Sequence, residues 1–418
     1  MRGFPFVRGT ILCLALFYPN ATSDLNSLQD MLRQKLWTKR DAYNAAYYLT
    51  VPMIDAFKRD DTDLIRRYAA YFRRFAKQGI DADVKFPVEA QYNYFVSRYL
   101  VLSAAKSGCT KRTRSLASHI EKRLERGLMS PAWLWSMPDF PNMFARAEWK
   151  LANKTITPAY MRAFFDEELF SFAVAADLKI VMQMCGSAPS RTTLRAVALG
   201  QQVFLSEGKY DGKKWQLQPG VWHDHPDFAY AGNPNLGPDL KKITVRGIGW
   251  DSGHFSRVPS FVKSLMCASE EGSAARSELD RILDGIAASF MTDVYVAPSS
   301  DFKAVRLKNY MTGDNGVYRY SYGTVGKAGG YGPYAMSNSF NTGWWSLLGE
   351  SVSAAYQAQR ASQPLPENAL ALYLGPVVTD KKAPLAAHPY LMNYIGGELF
   401  RIGLQAATDL SQHKRSCP

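Results

Sequence analysis

A chain of 418 residues that is 47 % hydrophobic and 13 % aromatic, with 22 Phe and 23 Tyr, can bury a large core and still have flat aromatic faces to spare. Its formal charge of +13 raises the local concentration of polyanions around it. No apolar stretch reaches the roughly 20 charge-free residues that span a bilayer, so no transmembrane anchor is expected.

Residues 1–23 carry Arg2 and Arg8, an apolar run from Ile11 to Tyr18 and the small-residue ending Ala21-Thr22-Ser23, the three-part pattern of a secretory signal peptide. Cleavage before Asp24 would leave a single domain over 24–418 with charge +11, because the segment holds two arginines and no acid. An exported location, periplasmic or secreted, follows. It fits the four remaining cysteines, Cys109, Cys185, Cys267 and Cys417, which can form up to two disulfides in an oxidising compartment. Their wide spacing, with no CxxC pair, argues against a structural zinc knuckle. Export and the lack of a clustered Lys/Arg motif turn the positive charge away from nucleic acid and toward an acidic polysaccharide or an anionic envelope surface.

The stretch DTDLIRRYAAYFRRFAKQG, 61–79, places Leu64, Ile65, Tyr68, Phe72 and Phe75 at helical spacing, with arginines opposite and Gly79 as the stop. Similar patterns recur over 38–56, 88–107, 111–127, 157–184, 190–206, 273–292, 343–360 and 389–408, mostly opened by Asp, Ser or Thr and closed by Gly or Pro. About a dozen helices, few strand-like alternations and no tandem period predict an all-α fold, with helical hairpins set in a ring, an (α/α) toroid or incomplete barrel. Two connections, about 207–255 and 294–342, are longer than structureless loops ought to be and hold His223, His225 and His254.

The first of these loops contains GVWHDHPDFAYAGN, 220–233. His223, His225 and Asp227 suggest a His-x-His ligand set for zinc or, less so, calcium. A further ligand from Asp224, Asp227, His254 or His388 would be needed, and KKWQLQPGVW before it is no convincing buried strand, so no metal or other cofactor is expected. As acid/base groups the same residues favour His225, flanked by Asp224 and Asp227, over His223. A structural role, pinning the loop, is the third reading.

Downstream, in GWDSGHFSRVPSFVKS, Asp251 and Ser252 end the loop, Ser256 can cap and Pro259 suits a first turn. His254 and Arg257 thus lie at the mouth of a helix, an end that favours anions and where an arginine can grip a carboxylate. In the second loop Tyr318, Tyr320 and Tyr322 share one face if the segment is extended, and Gly323 would let a sugar chain approach. Trp222, Tyr331 and Tyr334 offer stacking platforms, whereas Trp344 and Trp345 begin an apolar helical run and read as core. Glu167, Glu168 and His119 read as solvated helix residues, His388 as a helix end and His413 as part of a basic tail.

A helical chain of about 400 residues with a signal peptide, a His-containing polar loop and, one helix later, a His/Arg pair resembles the alginate-lyase-like polysaccharide lyases, whose fold is an α/α toroid. The resemblance covers 190–360 and lies in architecture and order of groups; the Asn-Asn-His signature of that family is absent, and DHPDFAYAGN stands roughly where it would fall. It implies β-elimination on a uronic-acid polymer, in which a neutralised carboxylate makes the neighbouring C5 proton removable by a base while an acid protonates the leaving oxygen. Carried over, Arg257 and Asn233 neutralise the carboxylate, His225 or His254 is the base, and Tyr322, ahead of Tyr230, is the acid. Trp222, His223, Asp227, Tyr318, Tyr320, Tyr331 and Tyr334 then contact substrate. The alternatives are an inverting glycoside hydrolase using two of Asp224, Asp227 and Asp251, and a non-catalytic protein that binds polysaccharide during export.

Overall fold

The computed structural model describes residues 27–321, 329–374 and 398–417. The expected signal segment, Tyr322, His388 and the first part of the helix read at 389–408 lie outside the described residues.

Helices form where caps and periodicity place them. In the second helix, α2 (Thr62–Gln78), the Asp61 side chain accepts from the Leu64 amide, Leu64, Tyr68, Tyr71, Phe72 and Phe75 turn inward, and Arg66 and Arg67 pair with Asp63 on the outer side. Before it runs α1 (Ala42–Lys58), and after it α3 (Phe86–Ser107) and α4 (Lys111–Met129), the last opened by a reciprocal Thr110–Thr113 capping box. Then come α5 (Met143–Ala152), α6 (Asp166–Met184), α7 (Arg191–Glu207), the short α8 (Ser252–Phe255), α9 (Val258–Cys267), α10 (Ala274–Ser289), α11 (Ser353–Ala361), α12 (Glu367–Leu374) and α13 (Glu398–Leu410). Among the described residues the strands form only three two-stranded antiparallel ribbons: Ala132–Leu134 with Met137–Phe140, Gly208–Asp211 with Lys214–Leu217, and Tyr295–Val296 with Arg306–Leu307. The fold is all-α, as the periodicity implies.

Two expected helices are broken. The stretch 157–184 splits into a 3₁₀ turn, Ala159–Arg162, and α6, with Phe165 extended between them; α6 begins with Asp166, Glu167 and Glu168, acids that the positive end of a helix favours. The stretch 343–360 opens as 3₁₀ turns over Trp344–Val352, kinked at Gly349, whose φ of 69° is open to glycine at little cost, before α11 begins. Trp344 and Trp345 are buried in the core as expected.

The centre is α6, buried on every side, packed between α3, α7 and α9. One contiguous apolar cluster runs from Leu28 to Leu410. Within it lies a charge cluster that corrects the reading of Glu167 and Glu168 as a solvated face. Glu168 is 0 % exposed, with Arg146 Nε at 2.9 Å on one oxygen and Lys150 Nζ at 2.7 Å on the other, while Glu167 takes a longer 3.3 Å contact from Arg146. The two acids read as solvated because the partners that neutralise them, Arg146 and Lys150, lie on α5, well before them in sequence. Burial drives the Lys150 amine down to about 7, against the pull of Glu168.

Both possible disulfides form: Cys109–Cys185 ties the start of α4 to the end of α6, and Cys267–Cys417 ties the end of α9 to the C-terminal tail. Among the described residues no helix is long and apolar enough to cross a membrane.

Glu168→Ala would leave Arg146 and Lys150 buried without their shared counter-charge, and is expected to cost about 3–5 kcal/mol in urea unfolding. Glu121→Ala, which removes one acceptor at the partly buried start of α7, should cost about 1 kcal/mol.

Candidate functional site

The two long loops are woven together by backbone hydrogen bonds. Met311 donates to the Trp250 carbonyl (2.8 Å), Ser252 to the Asn309 carbonyl (2.8 Å), Val317 to the Asn233 carbonyl (3.1 Å) and Arg319 to the Asp227 carbonyl (2.9 Å). Tyr318 and Tyr331 exchange both of their amide–carbonyl bonds, at 2.9 and 2.7 Å, and the buried Asn309 amide group donates to the carbonyls of Gly316 and Gly332. Gly316 is required by contact: a Cβ there would sit 1.8 Å from the Ala231 carbonyl oxygen. These bonds set the wall of a cleft of about 400 Å³ between the loops and the first two turns of α1.

His254 and Asp251 form the chemical centre of that cleft. Asp251 caps α8, accepting from the His254 amide at 2.9 Å, and the same carboxylate holds the His254 ring, with Nδ1 at 2.8 and 2.9 Å from its two oxygens. The Tyr318 hydroxyl donates to it as well, at 3.3 Å. Asp251 is 3 % exposed; burial by itself would raise its carboxyl, but the imidazole and the hydrogen bonds from His254 outweigh burial and hold it at about 2. An ionised acceptor on Nδ1 keeps the proton on that nitrogen and leaves Nε2 as the basic one, on a side chain 30 % exposed.

Beside this dyad the cleft is lined by aromatic and cationic side chains, Lys39, Arg40, Tyr43, Tyr47, Arg319 and Tyr331 among them, and by neutral residues such as Asn44, Asn338 and Met336. Tyr43 is 38 % exposed, and its hydroxyl accepts from Arg257 Nη1 at 3.4 Å. Lys39 is exposed and has no carboxylate partner among the described residues. Arg319 is gripped by Asp227 through both its backbone and its Nε (2.8 Å), and adopts φ 50°, rare for a residue with a side chain.

Several expected site residues are placed elsewhere. Arg257, the expected carboxylate clamp, is 1 % exposed and held by Asp166 at 2.6 Å; it borders the cleft, with its guanidinium against the Tyr47 ring and bonded to the Tyr43 hydroxyl. Asn233 is 7 % exposed and pins its own loop through the Tyr230 and Lys241 carbonyls. Tyr318 and Tyr320 do not share a face, because the turn at Arg319 ends the extended run. Tyr318 is buried in the cleft wall; Tyr320 packs against Tyr230 with tilted rings (4.7 Å) and bonds to Gly237 and Leu240. Tyr334 packs against the Arg306 guanidinium at 4.6 Å, and Trp222 is buried between Phe228 and Trp250.

The histidines of HDH are held by the loop itself. His223 Nδ1 bonds the Gly220 carbonyl at 2.8 Å, while His225 Nδ1 accepts the Asp227 amide at 3.1 Å inside a ring of Trp135, Tyr160, Trp222 and Phe228. Burial pushes His225 below its ordinary value, with Asp227 pulling the other way. Asp224 caps the turn at Ala159 through that residue's amide at 2.6 Å. Among the described residues no group of three or more His, Cys, Asp or Glu is arranged to hold a metal ion.

Asp251→Asn would present a donor to Nδ1 and move the His254 proton to Nε2, a change read directly in imidazole ¹⁵N shifts; unchanged shifts would contradict the dyad. Because the folded carboxyl lies below its ordinary 3.8, its stabilisation is complete above 3.8 and is lost as pH falls toward about 2. The stability gap between wild type and Asp251→Asn should therefore close over that window in acid-unfolding curves. Comparison with family models, with curated proteins and with solved structures gives no match for this chain.

Proposed function

We propose that this chain is an exported carbon–oxygen lyase that cleaves an acidic, uronic-acid-containing polysaccharide by β-elimination, on a ring of helical hairpins of the α/α toroid type. The observation that carries the reading is the Asp251–His254 dyad opening on a cleft whose other charged lining is cationic. The two disulfides are compatible with export.

His254 Nε2 takes the C5 proton of the sugar. The electron pair left behind forms the C4=C5 double bond, and the C4–O bond breaks with its electrons on the departing oxygen. The Tyr43 hydroxyl returns a proton to that oxygen, and the buried charge of Arg257 beside it stabilises the phenolate that remains. Lys39, Arg40 and Arg319 meet the carboxylates of the polymer, and neutralisation there makes the C5 proton removable. His225 acts in this scheme by positioning, holding the Asp227 loop that grips Arg319, while Arg257 both holds Tyr43 and stabilises its phenolate.

Inverting hydrolysis is less favoured because it needs one carboxylic acid to remain protonated near neutrality. Asp251 is held at about 2, Asp227 is paired with Arg319, and Asp224 caps a turn.

The mature chain is to be incubated with alginate and glucuronan and followed by the ultraviolet absorbance of unsaturated uronate. Absorbance is expected, and His254→Ala should lower its rate on the order of 10² or more at unchanged thermal stability. His225→Ala should instead lower thermal stability and leave most of the rate. New reducing ends without absorbance would make the protein a hydrolase, and neither signal would make it a binding protein.

A further inference from the structure

A second cavity, of about 450 Å³, lies at the opposite ends of the helices that border the cleft. Tyr43 and Tyr47 stand at the start of α1 and Ile54 to Lys58 at its end, and 17 helical residues span about 25 Å. The outer wall is the C-terminal tail from His413 to Cys417, fastened to α9 by the Cys267 disulfide.

This cavity is lined by far more positive than negative charge. Arg98 is neutralised by Asp177 (2.6 Å), Arg415 by Asp284 (2.5 Å) and Asp280 (3.2 Å), and Lys106 by Asp60, the carboxylate on the rim. Three lysines remain, Lys58 on α1, Lys263 on α9 and Lys414 on the tail, none with a carboxylate partner among the described residues. Lys58 lies in the last turn of α1, where the helix dipole favours a cation, and Lys414 is exposed, so neither requires a ligand. Lys263 is different. It lies in the middle of α9, half-buried, with no helix terminus beside it. Burial, and then Arg98, Lys58 and Arg415, push its amine down to about 8. A half-buried ammonium facing other cations is held at a free-energy cost that an anion would relieve.

We propose that this cavity binds a divalent tetrahedral oxyanion, the phosphate or sulfate group of a small ligand, with Lys263 as its inner contact and Lys58 and Lys414 at the mouth. The donor set selects the class. Arginine forks match a planar carboxylate, but both arginines here are engaged by aspartates; three lysine point charges on three separate elements suit an ion that accepts from several directions. The volume beyond the ion is walled by Ile54, Phe57, Leu102 and Leu347, which gives room for the apolar body of an ester. This site is independent of the reading of the cleft.

The test uses the full mature chain with sulfate, phosphate and acetate at matched ionic strength, read by thermal unfolding. Excluded sulfate stabilises any protein in proportion to its concentration, so the site is the saturable part of the shift. Sulfate and phosphate are expected to give a saturable rise in Tm that acetate does not. Lys263→Met should lose that rise and, in anion-free buffer, melt at or above the wild-type temperature. A retained saturable rise in Lys263→Met, or an equal rise with acetate, overturns the proposal. Labelling of the wild-type chain with an amine-acylating reagent near neutral pH, mapped by peptide, supplies a second readout that does not depend on the variant folding. Lys263 should react faster than exposed lysines and be protected by sulfate; labelling that sulfate leaves unchanged also overturns it.

Discussion

The carboxylate of Asp251 starts α8 by accepting the His254 amide, fixes the His254 ring through Nδ1 and takes the Tyr318 hydroxyl from the facing loop. Its own backbone bridges to Tyr310. One buried anion therefore sets a helix terminus, a histidine tautomer and the docking of two loops that are far apart in sequence. The desolvation cost of burying it is met by those same hydrogen bonds, which is why it stays ionised at 3 % exposure. Structure and chemistry are coupled at this residue: whatever disturbs the start of α8 also changes which nitrogen of His254 is basic.

Charge is managed in the same way elsewhere in the molecule. Glu168 sits between Arg146 and Lys150, Asp177 receives Arg98 and Ser97, and Arg257 is matched to Asp166, each pair drawn from different helices or from a loop and a helix. Buried pairs of this kind add little net stability but penalise any arrangement that separates them, so they select one packing of the helices among several apolar alternatives. Lys263 stands outside that pattern, a half-buried cation faced by cations.

The helices were legible in the sequence because their apolar faces repeat every turn and their caps are local: Asp61 before Leu64 and Thr110 before Thr113 need no knowledge of the fold. His254 was legible as a residue at a helix mouth, but the sequence pointed to Ser256 as the cap; the structure makes Asp251 the cap of α8, while Ser256 closes that helix and donates to the Gly253 carbonyl. What escaped was non-local. Arg257 looked like an available clamp because its partner Asp166 is 91 positions away, and Arg319 was overlooked because Asp227, which gives it meaning, lies 92 positions earlier. Tyr43 and Tyr47 are one helical turn apart in an apolar run, a pattern indistinguishable from core until the cleft beside them is seen. The density of histidine and aspartate in HDHPD drew attention to a loop whose polar groups mostly hold one another and the backbone in place.

The disulfide at the end of α9 has a topological consequence. Cys267 and Cys417 are 150 positions apart, so the bond closes a covalent circle that contains the tyrosine-rich loop, the 3₁₀ turns over Trp344–Val352 and, among the described residues, the four helices α10 to α13. A single proteolytic cut anywhere inside that circle leaves both fragments attached through sulfur. The nicked molecule gains only the one water of hydrolysis and keeps its complement of cleft-forming residues, and it separates into fragments only when thiols are reduced.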